Sequence, residues 1–153
     1  DNGVGEVQDL LFLINYFAAS GPIAMAGFSF GAFVTSSAIS QIHTTRESDL
    51  KSIVLVGTAA SRFTVPVIAQ SLHDKVLVLH GADDTYVPEK EIKAFQDEMR
   101  VAKADWQMNY YANAVHAFTE KSAGSDNSKG VAYNELADKR SWSALKSFLR
   151  ELL

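Results

Sequence analysis

The chain has 153 residues, of which 47% are hydrophobic and 21% are charged. This composition predicts a single globular domain over residues 1–153 and excludes a disordered chain. The net charge of −4 argues against binding to nucleic acid, which depends on basic residues that neutralise phosphates. No apolar run approaches the roughly 18 residues of a membrane span. The sequence holds no cysteine, which excludes disulfides and thiolate chemistry and is compatible with a cytoplasmic protein.

The first predicted elements are a helix, a short strand and a second helix. Apolar residues recur with helical spacing over residues 5–18, and the Ser-Gly-Pro sequence at residues 20–22 ends this helix. The apolar run from Ile23 to Ala26 predicts a strand. The small, apolar residues from Ala32 to Ile42 predict the helix that follows.

The later elements continue this alternation of strands and helices. Unbroken apolar runs at residues 52–57 and 75–81 predict two strands buried on both faces, as in a parallel sheet. Pro88 begins a helix, and alternation over residues 106–111 predicts an amphipathic strand at a sheet edge. We therefore expect an α/β fold with about four mostly parallel strands flanked by helices. The other predicted segments are a short or irregular helix at 63–72, a polar surface loop at 120–131 and an amphipathic helix at the end of the chain.

The junction between the first strand and its helix has the sequence Gly27-Phe28-Ser29-Phe30-Gly31. This spacing is that of the G-x-S-x-G nucleophile elbow, in which a serine projects from a sharp, strained turn. We expect the two glycines to leave room where strand and helix approach closely. We expect the backbone N–H of Phe30 to donate to an oxyanion formed beside Ser29.

Two further candidates follow later strands. Asp84 and its neighbour Asp83 follow the third strand, and His116 follows the fourth. Loops after parallel strands gather at one edge of the sheet, so these residues should lie near Ser29. A serine hydroxyl needs an adjacent base, which His116 would supply, and a carboxylate would fix the imidazole tautomer. The chain order Ser, acid, His is that of α/β-hydrolases.

Each candidate also has a purely structural interpretation. A serine in a turn and a histidine in a loop are common, and Asp83 and Asp84 could cap the following helix. The agreement of three residue types on one predicted edge favours catalysis. Aromatic residues that flank the candidates are expected to contact substrate, although packing explains them equally well: Phe28, Tyr86 and Phe118.

Three segments together resemble the dienelactone hydrolase-like group of α/β-hydrolases: residues 27–31, 80–88 and 116–119. Residues 129–134 also resemble this group. In the family pattern the acid stands three residues before a Val-Pro pair, which selects Asp84 over Asp83. The resemblance covers nearly the whole chain, as the carboxyl-terminal part of the usual fold. It implies a serine hydrolase that cleaves small carboxylic esters or lactones through an acyl-enzyme, without a metal or other cofactor.

The sequence departs from the family pattern at the nucleophile. Dienelactone hydrolases proper use cysteine where this chain has Ser29. This difference favours a general carboxylesterase, with a dienelactone hydrolase that uses serine as the alternative.

A second departure lies before the elbow. Family members carry several strands there, whereas one helix precedes the strand from Ile23 to Ala26. No residue matches the family's second oxyanion donor, so an inactive hydrolase-like module that acts in binding or oligomerisation is a further alternative. An elbow strand without neighbours on one side is an open edge. We expect two copies to pair there, burying this edge together with the helix at 5–18.

Overall fold

The computed structural model describes residues 3–42, 50–56 and 76–152. Over these residues helices and strands alternate along the chain, as the sequence predicts. The helices are α1 (Val4–Phe17), α2 (Phe30–Ile39), α3 (Glu89–Ala102) and α4 (Glu135–Leu152). The strands are β1 (Ile23–Phe28), β2 (Leu50–Val56), β3 (Val76–Gly81) and β4 (Trp106–Tyr111).

The four strands form one sheet in the order β1-β2-β3-β4, and every neighbouring pair is parallel. The α/β fold expected from the sequence is therefore confirmed. β4 lies at one edge, as its alternating pattern predicts, and β1 lies at the other. Because all strands run the same way, their carboxyl ends meet at a single edge of the sheet.

Helices cover both faces of the sheet, because the two central strands carry apolar side chains on each face. α1 and α2 pack on the first face, and α4 packs on the second face against β2 and β3. The buried residues of the first face include Met25, Ile53, Leu55, Val76 and Val78. Those of the second face include Val54, Leu77, Leu79 and Phe148. Full burial of each large side chain stabilises the fold by about 1.5–3 kcal/mol.

Several element boundaries differ from the predicted ones. β1 continues to Phe28 because its last two residues still pair with β2. α2 ends at Ile39 because the N–H of Ile42 donates to the carbonyl of Ile39, three residues back, in a tighter turn. The predicted loop at 120–131 contains two short 3₁₀ helices, Lys121–Ala123 and Asn127–Lys129. The helix predicted at 63–72 lies outside the described residues. Among the helices of the described part, none is long and apolar enough to span a bilayer.

Candidate active site

Ser29 occupies a strained turn between β1 and α2. Its φ of 50° and ψ of −113° are unusual for a residue with a side chain and cost about 1–3 kcal/mol. Two hydrogen bonds fix this turn. The Ser29 N–H donates to the carbonyl of Val56 on β2 (2.8 Å), and the Ser29 carbonyl accepts from the N–H of Ala32 (3.0 Å). The turn therefore presents the Ser29 hydroxyl at the carboxyl end of β1.

The two glycines of the elbow have different surroundings. A Cβ added to Gly27 would overlap the backbone carbonyl of Gly31 and would lie 2.6 Å from the Thr35 hydroxyl. Gly27 thus allows α2 to approach β1 closely, as the sequence predicts. A Cβ added to Gly31 would meet no described atom within 4 Å. Among the described residues nothing crowds Gly31, so the expectation that both glycines relieve crowding is supported for Gly27 alone.

Asp84 is buried in the turn that follows β3. Only 2% of its side chain is exposed. Its Oδ1 accepts hydrogen bonds from the backbone N–H groups of Tyr86 (2.8 Å) and Val87 (3.2 Å). Its own N–H donates to the carbonyl of Gly81 (3.1 Å). These bonds hold the carboxylate in one orientation and leave Oδ2 for another donor.

His116 lies after β4 and is fixed by its own backbone. Its N–H donates to the carbonyl of Gly130, and its carbonyl accepts from Ala132 (both 3.1 Å), in a short parallel bridge with Val131. The loop that carries it passes very close to β3, because a Cβ on Gly81 would lie 2.5 Å from the carbonyl oxygen of Ala114. Gly81 therefore lets the segment that carries His116 pass close to the end of β3, next to Asp84.

The three predicted residues meet in one hydrogen-bonded series. The Ser29 Oγ lies 3.1 Å from the His116 Nε2, and the His116 Nδ1 lies 2.9 Å from the Asp84 Oδ2. With its Nδ1 proton directed to the carboxylate, the imidazole presents an Nε2 lone pair to the serine hydroxyl. Asp83 is outside this series: its side chain is exposed, and its N–H donates to Ala114.

Two of the three flanking aromatic residues contact the histidine. The ring centroids of Tyr86 and Phe28 lie 5.2 Å and 6.1 Å from that of His116, each tilted by 33°. Phe28 is 39% exposed and Tyr86 is partly exposed, so both can also contact a bound molecule. Phe118 is only 2% exposed and packs against Tyr111 in the core beneath α4, which leaves almost no surface for a substrate.

The sequence also predicts that the backbone N–H of Phe30 donates a hydrogen bond to the oxyanion. This residue follows the serine directly and begins α2. In an elbow of this type, the N–H of the residue after the nucleophile donates to the oxyanion. The dipole of α2 favours negative charge at the same point.

His80 is a second histidine near the site, on β3. It is buried, and its ring lies nearly perpendicular to that of Tyr110, with the ring centroids 5.6 Å apart. Burial lowers its pKa, although Asp84 and Glu89 act in the opposite direction. The lowered pKa favours the neutral imidazole of His80. Among the described residues there is no cluster of side chains that could hold a metal ion.

A cavity of about 330 Å³ adjoins the series of hydrogen bonds. Asp83 and Tyr86 line one side, and residues 127–130 line the other. Ser29 and His116 are not among its lining residues, whereas Tyr86 lines it and also contacts the His116 ring.

Sequence reasoning missed the contacts that hold Asp84 and His116 in place. The two backbone N–H groups on Asp84, the close approach at Gly81 and the contact of Tyr86 with His116 depend on tertiary structure. Gly81, the last residue of β3, is a signal in the sequence that could have indicated the close approach.

Comparison with known proteins gives the family. Residues 5–153 match the dienelactone hydrolase family. The structure of a dienelactone hydrolase-like promiscuous phosphotriesterase from metagenomic libraries is 35% identical, with a TM-score of 0.68 over 84% of this chain and 52% of that one. A structure of a putative dienelactone hydrolase from Klebsiella pneumoniae shares the fold, with 22% identity, a TM-score of 0.72 and coverage of 93% of this chain and 59% of that one.

A protein of Caenorhabditis elegans described as uncharacterized is 35% identical over 78 residues, which make up 51% of this chain and 49% of that protein. The chain thus spans about half the length of these relatives. The match over residues 5–153 and the parallel sheet with its serine elbow identify the chain as a member of the dienelactone hydrolase family of α/β-hydrolases.

Proposed function

We propose that this chain is a serine hydrolase that cleaves small carboxylic esters or lactones through an acyl-enzyme. The single observation that supports this most strongly is the unbroken series of hydrogen bonds from Asp84 through His116 to Ser29. Membership of the dienelactone hydrolase family supports hydrolytic chemistry in general. No step of the proposed reaction requires a metal or an organic cofactor.

In the first half of the proposed reaction, the Ser29 Oγ attacks the ester carbonyl carbon while His116 Nε2 accepts the hydroxyl proton. The carbonyl oxygen becomes an oxyanion beside the N–H of Phe30, and one such donor is worth about 3–4 kcal/mol. When the tetrahedral intermediate collapses, the bond to the leaving alcohol breaks and His116 returns the proton to the alcohol oxygen. The acyl group then remains on Ser29.

In the second half, His116 accepts a proton from water, and the resulting oxygen attacks the acyl carbon. Collapse breaks the bond to the Ser29 Oγ, which takes back the proton from His116 and releases the carboxylic acid. The buried Asp84 carboxylate stabilises the imidazolium in both halves. We propose that Phe28 and Tyr86, beside the imidazole, contact the apolar parts of the substrate.

The test is hydrolysis of p-nitrophenyl acetate by the wild-type chain and three variants. We expect Ser29→Ala and His116→Ala each to lower kcat by at least about a thousandfold. Ser143→Ala, at an exposed serine of α4, is the matched control and should keep full activity. Equal rates for wild type, Ser29→Ala and buffer would refute the proposed esterase.

An inactive binding module, the further alternative named from the sequence, is the competing function. A fluorophosphonate distinguishes the two, because an activated serine displaces fluoride from phosphorus and stays covalently phosphonylated. We expect one label per chain on Ser29 and none in Ser29→Ala. A chain left unlabelled would support the binding module.

A lactone substrate separates the two enzymatic alternatives. A dienelactone hydrolase that uses serine should turn over dihydrocoumarin or a dienelactone faster than p-nitrophenyl acetate. The general carboxylesterase that we favour should show the reverse order, measured as kcat/KM on both substrates.

A further inference from the structure

The unused edge of β1 lies beside an apolar surface that the proposed chemistry does not employ. β1 pairs with β2 alone, so its other side presents backbone N–H and C=O groups without a strand partner among the described residues. The strand contains no proline and no charged residue, although these are the usual devices that block pairing at an edge. Ala24, Ala26 and Phe28 are exposed on the face of β1 that α4 leaves uncovered.

The second part of this surface is on α1. Four large apolar side chains there, called here the α1 patch, are between 46% and 68% exposed: Phe12, Leu13, Tyr16 and Phe17. Val7 and Ile14, on the opposite side of the helix, are buried in the same cluster as Met25 of β1. α1 therefore lies on the Met25 face of the sheet, next to the open edge, and its outer surface is apolar. Monomeric proteins rarely expose such a contiguous patch without a binding role.

Charge identifies the kind of partner. From Leu10 to Ile42 the sequence contains no Asp, Glu, Lys, Arg or His. A two-fold interface places the same surface on both subunits, so a neutral surface meets its copy without like-charge repulsion. The absence of Lys and Arg from α1 also disfavours an anionic membrane surface, which amphipathic helices bind through basic residues.

Side-chain size fixes the register of the pairing. A two-fold axis perpendicular to the sheet pairs the strands antiparallel and keeps each residue on its own face. Centred on Ala26, it places Ala24 opposite Phe28 and Ala26 opposite its own copy. The large ring then lies over a small side chain, on the face that α4 leaves open.

We infer that two copies of this chain associate through antiparallel pairing of their β1 edges, centred on Ala26, with the two α1 patches on the same side of the joined sheet. The joined sheet has eight strands, four from each copy. This inference does not depend on the proposed chemistry, because Ser29, Asp84 and His116 are not part of the interface. Phe28, which lies against His116, is the residue that the interface shares with the proposed substrate contacts.

The first experiment is sedimentation equilibrium of the 153-residue chain at micromolar concentration. We expect a species of twice the 16.7 kDa mass of one chain, and a monomer would overturn the inference. Phe12→Lys combined with Tyr16→Lys should weaken the dimer by about tenfold or more, since buried aromatic anchors dominate such interfaces. Val101→Lys, at an exposed apolar position of α3, is the matched control and should leave the dimer unchanged.

The second experiment uses the absence of natural cysteines. In Ala26→Cys the two cysteines lie opposite each other, with Cα atoms about 4.5–5.5 Å apart, within disulfide range. In Ala24→Cys the two are about 13 Å apart, given about 3.3 Å per residue. We therefore expect mild oxidation to link Ala26→Cys into dimers and to leave Ala24→Cys unlinked.

The remaining outcomes also decide the question. A disulfide in Ala24→Cys, or none in either variant, would overturn the pairing. A chain that is monomeric alone but floats with phosphatidylcholine vesicles would favour a membrane instead. Ser29→Ala should dimerise like wild type, so loss of esterase activity and loss of the dimer are separate results. Because lysine substitutions could unfold the chain, each variant is compared with Val101→Lys by circular dichroism, and the cysteine pair supplies an independent reading.

Discussion

Replacing Asp84 with asparagine tests the hydrogen-bonded series without changing its size. In one orientation the new amide keeps its oxygen on the N–H groups of Tyr86 and Val87 and turns its NH₂ toward the His116 Nδ1. The imidazole must then hold its proton on Nε2, where it cannot accept the serine proton. In the other orientation the amide oxygen accepts from the His116 Nδ1–H and preserves the tautomer, but the NH₂ then opposes the N–H groups of Tyr86 and Val87 and both of those hydrogen bonds are lost. The first orientation is therefore favoured, and it leaves no working base.

The expected loss follows from the geometry. With the tautomer reversed, kcat should fall by about 10³–10⁴-fold, which corresponds to about 4–5.5 kcal/mol of transition-state stabilisation. KM should change little, because Asp84 is buried behind His116 and does not contact substrate. The assay is initial-rate hydrolysis of p-nitrophenyl acetate over a range of concentrations. Thermal unfolding of both proteins verifies that the variant is folded at the assay temperature.

Asp83→Asn is the matched control, since it makes the same chemical change at the neighbouring exposed residue. It should retain wild-type kcat within about twofold, because surface substitutions have small effects. Activity of Asp84→Asn within tenfold of wild type would refute the assigned role of this carboxylate. An equal loss in Asp83→Asn would show that the sequence pattern selects the wrong acid.

Three other predictions follow from contacts in and near the site. Gly27→Ala should lower the free energy of unfolding by about 1–3 kcal/mol, because the added Cβ overlaps α2. Gly31→Ala should be neutral or should stabilise the chain by up to about 1 kcal/mol. Urea unfolding measures both variants, and equal losses of stability would contradict the assigned difference between the two glycines. Tyr86→Ala should lower kcat by about two- to twelvefold, since its aromatic contact with His116 is worth about 0.5–1.5 kcal/mol. Tyr86→Phe keeps the ring and should keep wild-type kcat. A large loss of kcat in Tyr86→Phe would assign the effect to the hydroxyl group instead. Burial lowers the pKa of His80 below its ordinary 6.5, so the unfolded chain binds the proton first as pH falls, and stability is lost as pH drops through and below that ordinary value. His80→Gln should flatten the decline in unfolding free energy between about pH 7.5 and pH 5, and an unchanged slope would contradict this.

Local patterns were sufficient to predict most of the fold. The unbroken apolar runs of β2 and β3 indicate strands buried on both faces, because only a covered parallel sheet accommodates them. The spacing around Ser29 indicates its turn, because strand, turn and helix follow within a few residues. Once the strands are parallel, the positions of Asp84 and His116 after β3 and β4 follow from topology.

Contacts between distant segments could not be predicted in the same way. The motif does not explain why Gly27 is crowded while no described atom lies close to a Cβ on Gly31, since both occupy equivalent places in it. Phe118 and Tyr86 both flank a candidate residue, yet Phe118 packs beneath α4 and Tyr86 contacts the imidazole. The surroundings of each side chain are formed by segments that are distant in the sequence. Local hydrophobic periodicity and motif spacing do not predict such contacts.

The order of the strands in the sheet has a consequence for synthesis. Because β1, β2, β3 and β4 lie side by side in the order in which a ribosome releases them, each new strand can dock on the one before it without waiting for a later segment. The serine turn emerges directly after β1, whereas the loop with His116 emerges after β4. His116, the proposed base, is therefore the last of the three residues to join Ser29 and Asp84. If the proposed function holds, a nascent chain stalled before residue 116 should not react with a fluorophosphonate, and covalent labelling should report completion of the last folding step.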